Sequence, residues 1–274
     1  MRIDNIKSYW DNRSKKFRTG LLATTDNPHI KRLEIDALYR AIKKTGLGSK
    51  KGVEVLEAGC GNGHNCFALS ELLPNFKFTG LDYSKEMVKN ANKAKESSSI
   101  KYPKVKFLLG NVLNLEKNKN IENGYDVIFT DRCLINLNST KLQIAGINQI
   151  FNKLKRGGYF IMLENSAKNY AHQNEGRRLV GLPERKPEKY NLFIDENAII
   201  PQVQKSAKLI SIDDFGSLHD IVLYILIPMV NNGTVDYSHP LVKATAELSM
   251  ALSGTYENQF GSFGQNRLFL FRKK

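Results

Sequence analysis

The chain has 274 residues, enough for one large α/β domain with insertions or for two small domains. With 41% hydrophobic and 25% charged residues it has the composition of a soluble globular protein, which excludes a disordered chain or a bundle of membrane spans. Its charge is strongly positive, 41 basic against 27 acidic residues, so nucleic acid, an anionic membrane surface and a phosphorylated small molecule are the partners to weigh against a plain excess of surface lysine.

Residues 1–52 hold over half of that excess, and the opening stretch MRIDNIKSYWDNRSKK lacks the apolar core of a secretory signal. Apolar periodicity predicts helices over 3–17 and 28–46, the second opening at Asn27-Pro28 with a cap followed by a first-turn proline. Tyr9, Trp10 and Arg13 cluster on the first helix, either as a lid over a ligand or as an anchor packing the helix on the domain. Strands are expected at 53–58, 76–81, 104–109, 125–130 and 158–163, with helical patterns at 64–73, 84–96 and 139–154 between them. That alternation implies a parallel sheet with helices on both faces and a ligand at the carboxyl ends of the strands.

The rhythm changes after residue 164. Residues 165–205 contain a polar, helix-prone piece and a proline-punctuated loop (GLPERKPEKYN), and further strands are expected at 207–213 and 267–272. Helical patterns near 217–230 and 241–253 lie between them. The longest apolar run, Ile221–Val230, is too short for a bilayer, carries a proline and predicts a buried helix. No repeat or linker divides the chain. One domain is expected, with 1–52 as a helical lid, 53–164 as the cofactor-binding core and 165–274 as substrate-side insertions plus the last two strands. Three scattered cysteines, Cys60, Cys66 and Cys133, form neither a disulfide framework nor a zinc site and point to a reduced, cytoplasmic protein. No acidic clusters call for a metal.

The stretch VEVLEAGCGNGHN carries the chemistry. Its glycines stand at 59, 61 and 63, and His64 occupies the place of the third glycine in a dinucleotide fingerprint. Glu57, two residues earlier, would repel a pyrophosphate at the helix N-terminus and attract a cationic ligand. S-adenosylmethionine, with an ammonium and a sulfonium and no phosphate, fits that demand. Asp82, in GLDYS, suits the two ribose hydroxyls, although it also reads as a helix cap. Tyr83 can lie against the adenine face, and Asn111 can reach the adenine edge or simply shape a turn.

These motifs, with YDVIFTDRCL and LKRGGYFIML following in order, resemble the class I S-adenosylmethionine-dependent methyltransferases over about residues 53–164. The resemblance implies a Rossmann-like, seven-stranded, mostly parallel sheet with helices on both faces and an antiparallel last strand. It implies that Glu57, Gly59, Gly61 and Gly63 cradle the methionine part, that Asp82 takes the ribose with Tyr83 beside it, and that Asn111, Val112 and Thr130 line the remainder of the cofactor site. The family usually has aspartate where Asn111 stands. DRCLINL, the N-x-x-R-x-x-x-G-L-P stretch at 174–183 and YNLFIDE further resemble a small-molecule group found in bacterial surface-polysaccharide pathways, with Tyr190 where that group tends to have histidine.

Methyl transfer from a sulfonium is an in-line displacement with a good leaving group, so positioning and exclusion of water dominate. A hydroxyl acceptor gains from a base. His172 and Glu164 are the candidates, each with a bland alternative as a loop histidine and a capping carboxylate. Arg132 suits a phosphate or carboxylate of the substrate. Tyr9, Trp10, Arg13, Asn174, Arg177, Tyr190 and Asn191 complete the expected substrate side. The expected function is transfer of a methyl group to oxygen of a small anionic acceptor, of sugar phosphate or sugar nucleotide type. An RNA methyltransferase and a non-catalytic S-adenosylmethionine or dinucleotide binder are the alternatives. Absence of an Asp/Asn-Pro-Pro-aromatic tetrapeptide after the fourth strand argues against the RNA reading.

Overall fold

The computed structural model describes residues 3–253 and 260–274. A seven-stranded sheet runs in the order β3-β2-β1-β4-β5-β7-β6. Its strands are β1 (Glu54–Ala58), β2 (Lys77–Asp82), β3 (Val105–Leu109), β4 (Tyr125–Asp131), β5 (Leu154–Asn165), β6 (Ala207–Asp213) and β7 (Asn266–Lys273). The first five pair in parallel, and β7 inserts antiparallel between β5 and β6. The direction of crossover from β3–β2 to β4–β5 reverses at β1, which opens a crevice at the carboxyl ends of β1 and β4.

Strand alternation sends one set of side chains to each face. Val55, Phe78, Phe129, Ile161 and Leu270 pack under α2 (Pro28–Lys44) and α3 (His64–Leu72). Leu56, Leu81, Ile128, Phe160, Met162 and Phe269 pack under α5 (Thr140–Lys153) and α7 (Glu196–Ser206). Strands buried on both faces read as nearly unbroken apolar runs, which is why VEVLEA and YDVIFT are legible as central strands. α1 (Ile3–Phe17) and α4 (Lys85–Ser97) lie against each other beyond the β2–β3 edge of the crevice, and α6 (Ala167–Leu179) follows β5 directly.

Three segments depart from expectation. β5 begins at Leu154, so the LKRGG turn is built into the strand, with a bulge where Tyr125 and Val127 pair Leu154 and Tyr159. α7 lies just past the proline-punctuated loop, over residues where no helix was expected. Asp195 caps it by accepting from Asn197 and Ala198, and Pro201 stands inside the helix, where it has no N–H to donate to the Asn197 carbonyl. The 217–230 helix is split into α8 (Ser217–Ile221), a π-helical turn (Val222–Leu226) and α9 (Ile227–Val230). It is not wholly buried, because Met229 and Val230 face outward while Leu223, Tyr224 and Ile227 form a small core with Val242. No described helix is long and apolar enough to cross a membrane.

Phe160 is fully buried and its ring lies 5.7 Å from Phe151 and 6.1 Å from Phe271. Phe160→Ala should lower stability by about 3–5 kcal/mol, read as a shift of the denaturant midpoint at unchanged slope.

Candidate active site

One cleft of about 290 Å³ opens at the switch point, between the strand tips and a cover formed by α1 and residues 185–193. Its floor is the glycine turn. Gly59 has φ +82°, and a Cβ there would meet Cys133 Sγ at 2.5 Å, so only glycine lets the turn approach β4. The backbone N–H groups of Gly59 and Cys60 donate to Leu81 O, which ties the turn to β2.

Two carboxylates flank this floor. Glu57 is buried, accepting from Asn65 Nδ2 at 2.8 Å and from Cys66 Sγ at 3.1 Å. Asp82 accepts from the Gly61 N–H and from the Ser84 N–H, both at 2.8 Å, leaving lone pairs on both oxygens for further donors. Burial pushes Glu57 up to about 7 against the pull of its two donors, and pushes Asp82 up to about 6. An ammonium or a ribose hydroxyl pair arriving in the cleft would compensate what burial costs these groups. Tyr83 lines the same end, its hydroxyl buried without a partner among the described residues.

Beside them lies a buried ionic cluster. Lys31 Nζ is 2.5 Å from Asp131 Oδ2 and 2.6 Å from Glu34 Oε2, and Arg132 Nε is 2.9 Å from Glu34 Oε1. Asn65 bridges Asp131 to Glu57, and Asn266 donates to Glu34 at 2.7 Å. Lys31 and Arg132 hold the Asp131 carboxyl below its ordinary range despite its burial. Glu34 and Asp131 raise the Arg132 guanidinium further, against desolvation.

Of the expected cofactor residues, Glu57, Gly59, Gly61, Asp82 and Tyr83 line the cleft. Gly63, Asn111, Val112 and Thr130 do not. Gly63 starts α3 at φ +87° with Phe107 against it. The Asn111 side chain accepts from Leu113 N at 2.9 Å, capping a 3₁₀ turn, Val112 packs under α5, and Thr130 is fully buried. On the expected substrate side, Trp10, Arg13, Arg132, Tyr190 and Asn191 line the cleft. Tyr9 backs them, stacked on Tyr190 at 4.3 Å. Arg132 lines the cleft with Glu34 and Asp131 already paired to its guanidinium.

The two expected catalytic groups stand elsewhere. Glu164 is fully buried outside the cleft lining and accepts from the backbone N–H groups of Cys133, Leu134 and Ile135 at 3.2, 3.0 and 3.2 Å. It anchors the turn after β4 and is not poised to take a substrate proton. His172 does not line the cleft, because α6 turns Tyr170, Gln173, Asn174 and Arg177 inward and leaves residue 172 off that stripe. Asn174 and Arg177 also miss the cleft. Asn174 exchanges two hydrogen bonds with the Arg185 backbone, and Arg177 donates to Pro183 O and Tyr224 O. The sequence reading passed over Lys31, Asp131, Tyr170, Arg185, Tyr224 and Tyr237, all of which line the cleft. Lys31 and Glu34 stand one turn apart on α2, a visible spacing that gave no hint of their partners on β4.

The methyltransferase-domain family matches residues 49–213. Demethylmenaquinone methyltransferase of Lactococcus lactis is 33% identical over 130 residues, 47% of this chain and 48% of that one, so the match spans about half that relative's length. Malonyl-[acyl-carrier protein] O-methyltransferase 1 of Ilyobacter polytropus is 26% identical over 216 residues, 78% of this chain and 75% of that one. A cyclopropane synthase of Mycobacterium tuberculosis shares the fold with a TM-score of 0.60 at 12% identity, over 100% of this chain and 99% of that one. The chain belongs to the methyltransferase-domain family, the class whose methyl donor is S-adenosylmethionine.

The cleft's titrations give that donor a pH signature. Free Glu57 and Asp82 titrate at about 7 and about 6, and a cationic ligand favours their charged forms. S-adenosylmethionine affinity should therefore rise between about pH 5.5 and 7.5 and fall again as the donor's own ammonium loses its proton near pH 8, with proton release near pH 6.5 detected by calorimetry in two buffers of different ionisation heat. Separately, Glu164→Ala should lower stability by about 3 kcal/mol or more, because three buried N–H groups lose their acceptor. Glu164→Gln should cost less, both read from denaturant midpoints.

Proposed function

We propose that this chain transfers a methyl group from S-adenosylmethionine to oxygen of a small anionic acceptor, of sugar phosphate or sugar nucleotide type. The observation that carries the reading is a single cleft with two unlike sets of lining groups. It is lined by the glycine turn, Glu57 and Asp82 and, from the cover and α6, by Tyr170 and Tyr190 and by Arg185 and Lys186 with Glu188 beside them. Acidic groups suit the cationic donor, and basic and aromatic groups suit a negatively charged acceptor with flat or apolar faces. The O-methyltransferase named among the relatives, matched over 75% of its length, supports oxygen as the target.

The chain's own contribution is positioning and exclusion of water. Glu57 and its donors hold the ammonium end, and Asp82 holds the ribose through the two oxygens that already fix Gly61 and Ser84. α1 works as the lid over both ends. Ser84 Oγ donates to Asp11 Oδ1 at 2.5 Å, Asn90 donates to Ser14 O, and Trp10 Nε1 donates to Asn136 Oδ1 at 3.0 Å. Residues 1–52 then serve as cover, 53–164 as the donor site and 165–274 as the acceptor side within one domain. With Glu164 and His172 outside the cleft, no side-chain base is assigned.

Asp82→Ala should weaken S-adenosylmethionine binding roughly ten- to a hundredfold with an unchanged circular dichroism spectrum. Formation of S-adenosylhomocysteine with a panel of sugar phosphates and sugar nucleotides tests the acceptor. Turnover confined to amines, or to RNA with the steep salt dependence of phosphate-backbone binding, would refute it.

A further inference from the structure

Residues 183–187 cross the cleft as an irregular loop, yet Arg185 is held more firmly than a loop arginine needs to be. Four residues of α6 at helical spacing do the holding. Asn174 accepts from the Arg185 N–H at 2.9 Å and donates to its carbonyl at 3.0 Å, which fixes the backbone. Arg177 donates to Pro183 O at 2.8 Å and fixes the approach to it. Gln173 Oε1 and Gln265 Oε1 accept from Arg185 Nη1, the latter at 3.3 Å. Tyr170 is the fourth, its ring centroid 5.3 Å from the guanidinium carbon, while the Tyr224 ring lies at 3.5 Å.

All of these bonds use the backbone, Nη1 or the face of the guanidinium. Among the described residues, Nε and Nη2 make no hydrogen bond and no carboxylate lies within ion-pair distance of Arg185. Asp220, the carboxylate behind it, reaches it only through Gln173 and the Gln265 backbone. The neighbouring guanidinium of Arg177 adds like charge: burial and then Arg185 lower its proton affinity. Arg185 is only half-buried and lines the cleft with Lys186 beside it. Every other cleft-lining arginine has a counter-ion: Arg13 has Asp26, and Arg132 has Glu34 and Asp131.

We propose that Arg185 is the anchor for an oxyanion of the acceptor, a phosphate or carboxylate gripped by its Nε–Nη2 edge, and that Tyr170, Gln173, Asn174 and Arg177 are the residues that position it. The assignment rests on the small-acceptor methyltransferase reading above and adds to it the residue that selects for negative charge. A fork with two parallel N–H groups matches two oxygens of one anionic group, which a lysine at the same place cannot do.

The test uses the full chain saturated with S-adenosylhomocysteine, into which uridine diphosphate or benzoate is titrated by calorimetry. One of the two probes should bind the unaltered protein, and its Kd should rise roughly ten- to a hundredfold in Arg185→Gln. Arg185→Lys should recover little of the loss. S-adenosylhomocysteine affinity should stay within about twofold in both variants, which also reports that they fold; should Arg185→Gln fail there, Arg185→Lys carries the comparison. The arm that responds identifies the anion as phosphate or carboxylate. Binding of neither probe, or equal binding to the unaltered protein and the variants, overturns the assignment. Failure of S-adenosylhomocysteine to bind the unaltered protein overturns the methyltransferase reading itself.

Discussion

Four charges, the buried Lys31, Glu34 and Asp131 and the half-buried Arg132, fasten the second helix to the tip of the fourth strand. Two cations and two anions cancel there, and the amides of Asn65 and Asn266 supply further donors. Such a cluster is poor as a source of stability, since desolvation offsets much of the attraction. What it supplies is placement. Removing any one member strands its partner in a buried site, so the crevice has only one low-energy arrangement. Glu57 joins through Asn65, and the glycine turn, Asp82 and the donor end of the cleft are set relative to that point.

The opposite end is built on a different principle. α6 uses a stripe of four polar or aromatic side chains to discipline a proline-punctuated loop, where regular backbone pairing is lacking. The resulting end of the cleft is basic and tyrosine-rich, facing an acidic, glycine-rich one. A donor carrying positive charge and an acceptor carrying negative charge would each find the complementary end.

The sheet was legible because its strands are central and apolar on both faces, and because helices alternate with them. The antiparallel insertion of β7 followed from family resemblance, not from any local pattern. α7 was missed because Pro201 and the polar Asp195–Asn197 start resemble a loop until the cap is seen. The glycine turn and Asp82 were legible since their geometry is local. Arg185 was not, because PERKPEK offers alternating charges with nothing in one dimension to mark the one that finds no ion pair among the described residues. Glu164 and His172 were misread for the same reason. A carboxylate at a strand tip looks identical in sequence whether it meets substrate or three amides, and a helical histidine declares its face only when neighbouring residues are packed.

Ser84 has two tasks at once. Its hydroxyl oxygen accepts from Met87 N to cap α4, and its proton goes to Asp11 on α1. Its own amide meanwhile donates to Asp82. The fastening of α1 and a donor to Asp82 therefore share one residue. A substitution at this one position would therefore disturb the cap of α4, the seating of α1 and a donor to Asp82 together.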